Sequence, residues 1–297
     1  MQKIDLQLIA AEIKSAQDEG IQLEPITARY PDFDIADAYQ VANLIHQQRL
    51  EQGWKPVGRK IGFTNANMWS VYGVREPVWA YMYEHTVSWL DEPSEQKVQA
   101  SAKEVQASVP EGQRAEQEQA ECSLGTLCEP KIEPEIVIRF ASAPPLDADP
   151  TQLLACIDWI AFGFEMVQSH FPGWKFQAAD TITDRALHAS LFIGRPSTVS
   201  QLGESAIKDL EQFEIALSCG TELRETGSGQ NVLGNPLQAI LHLISVVHNQ
   251  SDAAPIQAGE IITTGTLTAA FDVEAGQIWN ARLKGIALQD MDILFKA

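Results

Sequence analysis

The sequence predicts an α+β fold, in which helices come first and strands dominate the later part of the chain. Residues 3–19 and 34–52 place apolar side chains mostly three and four positions apart, which is typical of helices that bury one face. From Ile132 onward, short apolar runs bounded by turn residues indicate strands. Helices and strands do not alternate regularly along the chain, so the order favours α+β over a βαβ architecture.

The first 84 residues are predicted to form a small N-terminal α+β region. Its first helix stops at Gly20, and its second helix begins near Asp34 and ends before Gly53. The remaining predicted elements are a strand or tight turn over residues 57–63, a short helix over 66–72 and a strand region over 81–90.

Residues 85–297 are predicted to form a β-rich catalytic domain with an acidic insertion at about 91–129. The insertion carries a net charge of −6 and few large apolar side chains, which is typical of a solvated surface loop. The predicted elements that follow are a strand over 132–140, a helix over 150–161, a second apolar run over 161–167, strands over 187–194 and 213–219, a helix over 236–248, and a closing pair of strands over 261–270 and 277–286.

The charge balance narrows the classes of partner. The chain has 297 residues with 21 Lys and Arg against 40 Asp and Glu, which gives a formal net charge of −19. This balance argues against nucleic acid and against anionic membranes, because both need clustered basic residues. It leaves an anionic small molecule possible, since a bound metal ion reverses the charge of a single pocket.

The N-terminus predicts a cytoplasmic protein. Its first residues are amphipathic and carry acids, and they lack the basic start and apolar run of a signal peptide. No apolar stretch approaches the roughly 18–20 residues of a membrane span. The four cysteines are irregularly spaced and match no usual zinc motif, which favours reduced thiols.

Three glutamates form the sharpest candidate site. Glu133 and Glu135 are two residues apart in a predicted strand, so their side chains share one face and repel each other. Glu165 lies in an otherwise apolar run, where a carboxylate is costly to bury without a partner. A divalent cation would resolve both conflicts, and oxygen ligands favour Mg²⁺, Mn²⁺ or Ca²⁺ over zinc. The alternative is a set of solvated strand acids.

Lys60 is a candidate catalytic residue. It lies between Gly58 and Gly62, and glycines allow a backbone to pass close to a ligand. A lysine in this setting can bind a substrate carboxylate or move a proton, whereas the alternative is an ordinary surface lysine.

Ordered sequence blocks are similar to those of a known family. The chain resembles the 2-keto-4-pentenoate hydratase / 4-oxalocrotonate decarboxylase group of the fumarylacetoacetate hydrolase superfamily, from about residue 30 to 290 apart from the insertion. Each block is weak alone, and their order and spacing together are specific. The blocks are VGRKIGFT at 57–64, GVREP at 73–77, IEPEI at 132–136, FEMVQS at 164–169, WKF at 174–176, ADTITD at 179–184, GNPL at 234–237 and GEIITTG at 259–265.

The resemblance implies a small N-terminal helical region, a larger β-rich roll and a metal-dependent activity. It implies that Mg²⁺ or Mn²⁺ is held by Glu133, Glu135 and Glu165, at the motif positions of the family's ligands. The metal would bind a small-molecule 2-keto acid and stabilise the enolate charge on its 2-oxygen. The resemblance also implies a homo-oligomer.

Further site residues follow from the same blocks. By motif position Lys60 lies beside the substrate, Thr264 and Gly265 border its carboxylate end, and Asp180 is a third predicted substrate-binding residue. His170 and His188 lie near these blocks and either could serve as a base, with His170 taken as the catalytic candidate.

Two departures from the family pattern leave the reaction open. Val78 stands where hydratases of this group carry an aspartate, so an acid that assists proton movement is missing. Arg185 replaces an asparagine, and its guanidinium could bind a second substrate carboxylate or pair with a nearby acid. Hydration of an unsaturated 2-keto acid is the leading prediction. C–C bond hydrolysis of an acylpyruvate-like diketo acid, decarboxylation, and a catalytically inactive binding or partner subunit are the alternatives.

Overall fold

The computed structural model of the protein describes residues 4–65, 69, 74–90 and 119–297. Apart from Trp69, the short helix expected at 66–72 lies outside these residues, as does most of the expected insertion. The helices are α1 (Leu6–Glu19), α2 (Ile26–Arg29), α3 (Ile35–Glu51), α4 (Pro150–Ala155), α5 (Ala178–Thr183), α6 (Val199–Leu202), α7 (Ala206–Gln212) and α8 (Pro236–His248).

The strands fall into two sheets, and the α+β prediction is confirmed. The strands are β1 (Pro56–Gly62), β2 (Val78–Tyr83), β3 (Val87–Trp89), β4 (Ala120–Ser123), β5 (Lys131–Phe140), β6 (Ile157–Val167), β7 (His188–Ile193), β8 (Ser197–Thr198), β9 (Glu214–Cys219), β10 (Glu222–Ser228), β11 (Ile261–Thr266), β12 (Phe271–Asp272), β13 (Ile278–Lys284) and β14 (Met291–Lys296). In the part of the chain that the structure describes, no helix has the length and apolar character needed to cross a membrane.

The larger sheet carries the candidate site. Its order is β2-β1-β11-β5-β6-β7-β3, with β12 paired to β5 and β8 paired to β6. Strand β1 from the N-terminal region runs parallel to β11, which places Lys60 beside Thr263. The predicted N-terminal region therefore contributes two strands to the sheet of the predicted catalytic domain, and the boundary at residue 84 stays a prediction.

The smaller sheet has the order β10-β9-β13-β14-β4. One apolar cluster joins both sheets and α8; it includes Phe162 from β6, Trp279 from β13 and Ile240 from α8, all 1 % exposed or less. A second cluster lies between α1 and α3 and includes Ile13 and Val41. These two clusters hold the larger sheet between the helical N-terminus and the smaller sheet.

Local signals explain the helix ends well. The Asp5 side chain accepts hydrogen bonds from two backbone N–H groups at the start of α1, and Gly20 ends that helix in a left-handed conformation (φ 62°). The Asp34 side chain caps α3 by accepting a hydrogen bond from the backbone N–H of Asp37. Asn235 caps α8, and Pro236 occupies its first turn, where a missing N–H costs nothing.

Three expectations about the secondary structure were wrong in their bounds or in their pairing. The helix expected at 150–161 ends at Ala155, because the chain from Ile157 joins β5 in an antiparallel pair instead. The strands expected to close as a pair, β11 and β13, lie in different sheets. The end of the expected insertion is structured: β4 pairs with β14, and Cys122 and Cys128 are buried.

Candidate active site

Strand register brings the three predicted metal ligands together. Glu133 on β5 lies opposite Glu165 on β6, and Glu135 lies opposite Gly163, where an added Cβ would lie 2.8 Å from the Phe192 carbonyl oxygen. One carboxylate oxygen from each of the three glutamates lies within 4.8 Å of the other two. Glu135 and Glu165 are completely buried, so this is not a set of solvated acids.

Lys60 is the cation that faces this cluster. Its Nζ lies 3.3 Å from Oε1 of Glu165 and 3.6 Å from Oε2 of Glu133, and its side chain is 4 % exposed. Burial opposes its charge, but the three glutamates outweigh burial and raise the pKa of Lys60 above its usual value. Lys60 is therefore an ammonium ion at neutral pH.

A backbone bulge in β11 supplies a hydrogen bond to Glu135. The β11–β5 register shifts between Thr263 and Thr266, and within this bulge the N–H of Gly265 donates to Oε2 of Glu135 over 2.7 Å. Gly265 has φ +103°, and a Cβ there would lie 1.8 Å from Oγ1 of Thr64. Only glycine satisfies both constraints.

His188 holds Glu165 from the opposite side. Its Nδ1 lies 2.8 Å from Oε1 of Glu165, and its Nε2 lies 2.9 Å from the hydroxyl of Thr86. Both side chains of the His188–Glu165 pair are fully buried. Burial lowers the pKa of His188, and the hydrogen bond to Glu165 opposes that shift in part. The His188 imidazole thus fixes the orientation of the Glu165 carboxylate, although His188 itself is not part of the glutamate cluster.

The cluster holds more negative charge than Lys60 balances. Burial and neighbouring Glu165 raise the pKa of Glu135 well above its usual value, and burial also raises the pKa of Glu133. At Glu165, Lys60 and His188 outweigh burial and lower the pKa to about 2. Oε1 of Glu135 is buried without a hydrogen-bond partner among the described residues. A divalent cation would satisfy that oxygen and neutralise the excess charge, so the donor set fits Mg²⁺ or Mn²⁺.

A cavity of about 500 Å³ opens above these residues. Lys60, Glu133 and Gly265 line it, together with Val78 and Lys131. The Lys131 ammonium lies 3.1 Å from the exposed Asp272 and 4.8 Å from the centre of the Trp174 ring. The cavity is large enough for a small acid and provides cations at two places.

Four of the predicted catalytic and substrate-binding residues do not line this cavity. Both oxygens of Asp180 accept hydrogen bonds, from the backbone N–H and hydroxyl of Thr27 and from the N–H of Gln177, so Asp180 joins α2 to α5. The Thr264 hydroxyl donates to the Ile136 carbonyl. Nδ1 of His170 lies 2.8 Å from Oδ1 of Asp184. These three side chains have structural partners, and the remaining one, Arg185, lines a different cavity.

Sequence reasoning missed two contributors. Lys131 precedes Glu133 by two residues on the same strand, so the alternation that paired Glu133 with Glu135 also placed Lys131 on that face. Thr263, whose hydroxyl lies 3.4 Å from Oε2 of Glu165, carries no comparable local signal. His188 was considered as a base, but its contact with Glu165 depends on the β6–β7 register.

The family described as "Fumarylacetoacetate (FAA) hydrolase C-terminal" matches residues 84–294, which is more than half of the chain. The chain belongs to the fumarylacetoacetate hydrolase family. The resemblance inferred from the sequence blocks is thereby confirmed, and the cluster of Glu133, Glu135 and Glu165 lies within the matched region.

Similar proteins in this family are enzymes. The chain is 27% identical over 280 residues to the 2-keto-4-pentenoate hydratase of Paraburkholderia xenovorans (strain LB400), covering 93% of this chain and 90% of that protein. It is 26% identical over 281 residues to the 4-oxalocrotonate decarboxylase of Pseudomonas sp. (strain CF600), covering 94% and 92%. The fold also matches the 4-oxalocrotonate decarboxylase of Pseudomonas putida G7 in complex with magnesium and adipate, with a TM-score of 0.81, 22% identity and coverage of 99% and 100%.

Proposed function

We propose that this protein is a divalent-metal-dependent lyase that adds water to a small unsaturated 2-keto acid. The observation that carries the proposal is the buried cluster of Glu133, Glu135 and Glu165, with Lys60 beside it, at the base of a cavity. Similarity to 2-keto-4-pentenoate hydratases over most of both chains supports the reaction type.

Mg²⁺ or Mn²⁺ is the proposed cofactor, held by the three glutamates. When bound, a divalent cation supplies a Lewis acid that stabilises negative charge on the 2-oxygen of a 2-keto acid. The similar decarboxylase from Pseudomonas putida G7 binds magnesium, which supports this choice. Gly265 and His188 fix the orientation of Glu135 and Glu165 through hydrogen bonds, so the two carboxylates are held in place before a ligand arrives.

The remaining chemistry falls to residues of the cavity wall. The Lys60 ammonium carries a proton beside the carboxylates and is placed to donate it to, or to orient, a substrate oxygen. Lys131 lies further out, over the Trp174 ring, and provides a positive charge for the end of the substrate away from the glutamates. Val78 makes the cavity wall apolar at that side.

Decarboxylation of a 2-keto acid is the second candidate, and Val78 favours it. Val78 is 3 % exposed and lines the cavity where hydratases of the resembled group carry an aspartate. Loss of CO₂ places electrons on the same enolate system without addition of water, so it depends less on an acid at that position. The 4-oxalocrotonate decarboxylases are as similar to this chain as the hydratases are.

The test compares substrates on purified full-length protein with Mg²⁺. We expect the absorbance of 2-hydroxypenta-2,4-dienoate to decay with formation of the hydrated 2-keto acid, and we expect the chelator EDTA to stop the reaction. Release of CO₂ from 4-oxalocrotonate would assign decarboxylation instead, and cleavage of an acylpyruvate would assign C–C bond hydrolysis. Metal binding without turnover on any of the three would contradict the enzyme proposal and favour a partner subunit. The homo-oligomeric state and the cytoplasmic location stay predictions.

A further inference from the structure

A second cavity, of about 570 Å³, lies beside α3 and β2. None of its lining residues also lines the cavity above the glutamate cluster. Its volume lies within the range of about 300–1,000 Å³ that is usual for small-molecule sites. The walls come from α3, from β2, from the segment 182–185 and from residues 249–253 after α8. The proposed lyase reaction uses no part of it.

Aromatic rings form one wall of this second cavity. The His46 ring stacks on the Tyr81 ring with centroids 4.0 Å apart, and the Tyr39 ring stacks on Trp79 at 5.9 Å. Tyr83 extends the same wall, and its hydroxyl lies 2.9 Å from Nδ1 of His46. Aromatic faces of this kind bind a flat, apolar ligand by offset stacking or edge contacts.

Arg185 supplies the cavity's positive charge. Among the described lining residues it is the only lysine or arginine. Its Nε is buried without a hydrogen-bond partner, and its guanidinium forms no ion pair with a described residue within 4 Å. Burial lowers the pKa of His46 to about 4, so that ring is neutral at pH 7. Asp252 is the only acid among the lining residues that the structure describes, and it is exposed.

An unusual backbone turn gives Arg185 this position. Arg185, Ala186 and Leu187 have φ values of 51°, 48° and 69°, although none of them is glycine. A non-glycine residue in this region costs roughly 1–2 kcal/mol, so three in succession persist only where the surrounding structure requires them. The turn places Arg185 in the second cavity, whereas Ala186 and Leu187 line the first.

We propose that the second cavity binds a small aromatic carboxylate, with its carboxylate on Arg185 and its ring against His46 and Tyr81. Guanidinium groups bind carboxylates through two parallel hydrogen bonds. Asp184 and Asp18 act on the Arg185 charge only from beyond ion-pair distance, so its donors stay available to an anionic ligand. The apolar and aromatic walls favour a ring over a short aliphatic chain. The orientation of Arg185 away from the glutamate cluster means that it serves this site and not the 2-keto acid.

Benzoate is the probe for this site, and calorimetric titration of the full-length protein is the measurement. Mg²⁺ and saturating oxalate are present so that a chelating acid already fills the glutamate cluster. We expect saturable benzoate binding by the wild-type protein. We expect Arg185→Gln to weaken it about tenfold or more, because a charged hydrogen bond is lost. Acetate, which lacks the ring, is expected to bind much more weakly.

Two further variants keep the test decisive. Asn43→Asp adds a negative charge to the cavity lining without changing side-chain shape, and we expect it to weaken benzoate binding about threefold or more. Arg139→Gln removes an arginine that lines neither cavity and is expected to bind benzoate like the wild type. Absence of saturable binding, displacement of benzoate by oxalate, equal binding of acetate, or wild-type affinity in Asn43→Asp and in folded Arg185→Gln would each overturn the proposal. Circular dichroism checks the folding of each variant. If Arg185→Gln does not fold, the benzoate affinity of Asn43→Asp tests the proposal.

Discussion

Glu133 and Glu165 face each other across the β5–β6 pair, and Nζ of Lys60 lies 3.6 Å from the first carboxylate and 3.3 Å from the second. Lys60 therefore competes with a divalent cation for the same oxygens while also partly balancing their charge. Under the proposed function, metal binding and catalysis are separable, because Lys60 would oppose the first and serve the second.

Replacement of a proposed metal ligand is expected to abolish both metal binding and turnover. Glu135→Gln removes a charged oxygen ligand, so we expect Mg²⁺ affinity to fall about 100-fold or more and turnover to be lost. Isothermal titration with Mg²⁺ and the substrate assay measure the two effects. Glu121→Gln changes a half-exposed glutamate of β4 and serves as the control. Unchanged affinity and activity in Glu135→Gln would refute the proposed metal site.

Replacement of Lys60 is expected to separate the two properties. Lys60→Gln removes a positive charge from the cluster, so Mg²⁺ should bind about tenfold more tightly. Turnover should fall about 100-fold, because the variant lacks the ammonium that donates or orients a proton. Lys55→Gln, at an exposed position, is the matched control. Weaker metal binding in Lys60→Gln would contradict the competition inferred from the distances.

His188 is expected to act through Glu165. His188→Phe removes the hydrogen bond to the carboxylate, and we expect Mg²⁺ affinity to fall about 10- to 100-fold. His188→Gln keeps a hydrogen-bond donor and should recover part of this loss. Titration calorimetry measures the affinities, and His242→Phe, on the exposed face of α8, controls for the loss of an imidazole. Equal metal affinity in His188→Phe and wild type would show that the contact has no positioning role.

Gly265 is expected to tolerate no side chain. Gly265→Ala combines an unfavourable φ with a Cβ 1.8 Å from Thr64, and we expect it to lower the free energy of unfolding by roughly 3 kcal/mol. Gly276→Ala is the matched control, because Gly276 also has a positive φ (+87°) but no atom within 4 Å of the added Cβ. It should cost about 1 kcal/mol from the backbone alone. Urea denaturation compares the two, and equal costs would contradict the steric argument.

His46 is expected to make stability depend on pH. Burial, assisted by Arg59, lowers the pKa of His46 to about 4 in the folded protein, against about 6.5 when unfolded. As pH falls from about 6.5 to 4, only the unfolded state gains the proton, so stability present above pH 6.5 is lost in this window. Relative to His46→Gln, the wild type should lose about 1–2 kcal/mol between pH 7 and pH 5. Urea denaturation at the two pH values measures this, and a constant difference would contradict it.

The candidate site was predictable where its signals are local. Strand alternation placed Glu133 and Glu135 on one face, and the isolated charge of Glu165 in an apolar run marked it as paired or metal-bound. The helix α8 was predicted with its observed ends, because Asn235 and Pro236 are strong start signals. The strands β4 and β10 were missed, since they carry many polar residues and give little apolar contrast. The strand β14 was also missed, although Met291, Ile293 and Phe295 alternate on its buried face.

Residues whose partners are distant in sequence were assigned less well. Asp180 and His170 belong to blocks shared with the resembled family, yet their side chains bind Thr27 and Asp184 and do not line the cavity. Arg185 was placed near a substrate carboxylate by its position after Asp184, but a left-handed turn directs it into the second cavity. No pattern in the sequence predicts three successive positive φ values at non-glycine residues.

By itself the sequence determined the α+β class, the face shared by Glu133 and Glu135, and the candidacy of Glu165 and Lys60. These follow from side-chain periodicity and from the cost of burying a lone charge, which are properties of a few neighbouring residues. Only the tertiary structure decided that β1 lies beside β11, that Glu165 faces Glu133, and that His188 holds Glu165. Those contacts depend on strand register between segments up to about two hundred residues apart, and register is fixed by packing of the whole core.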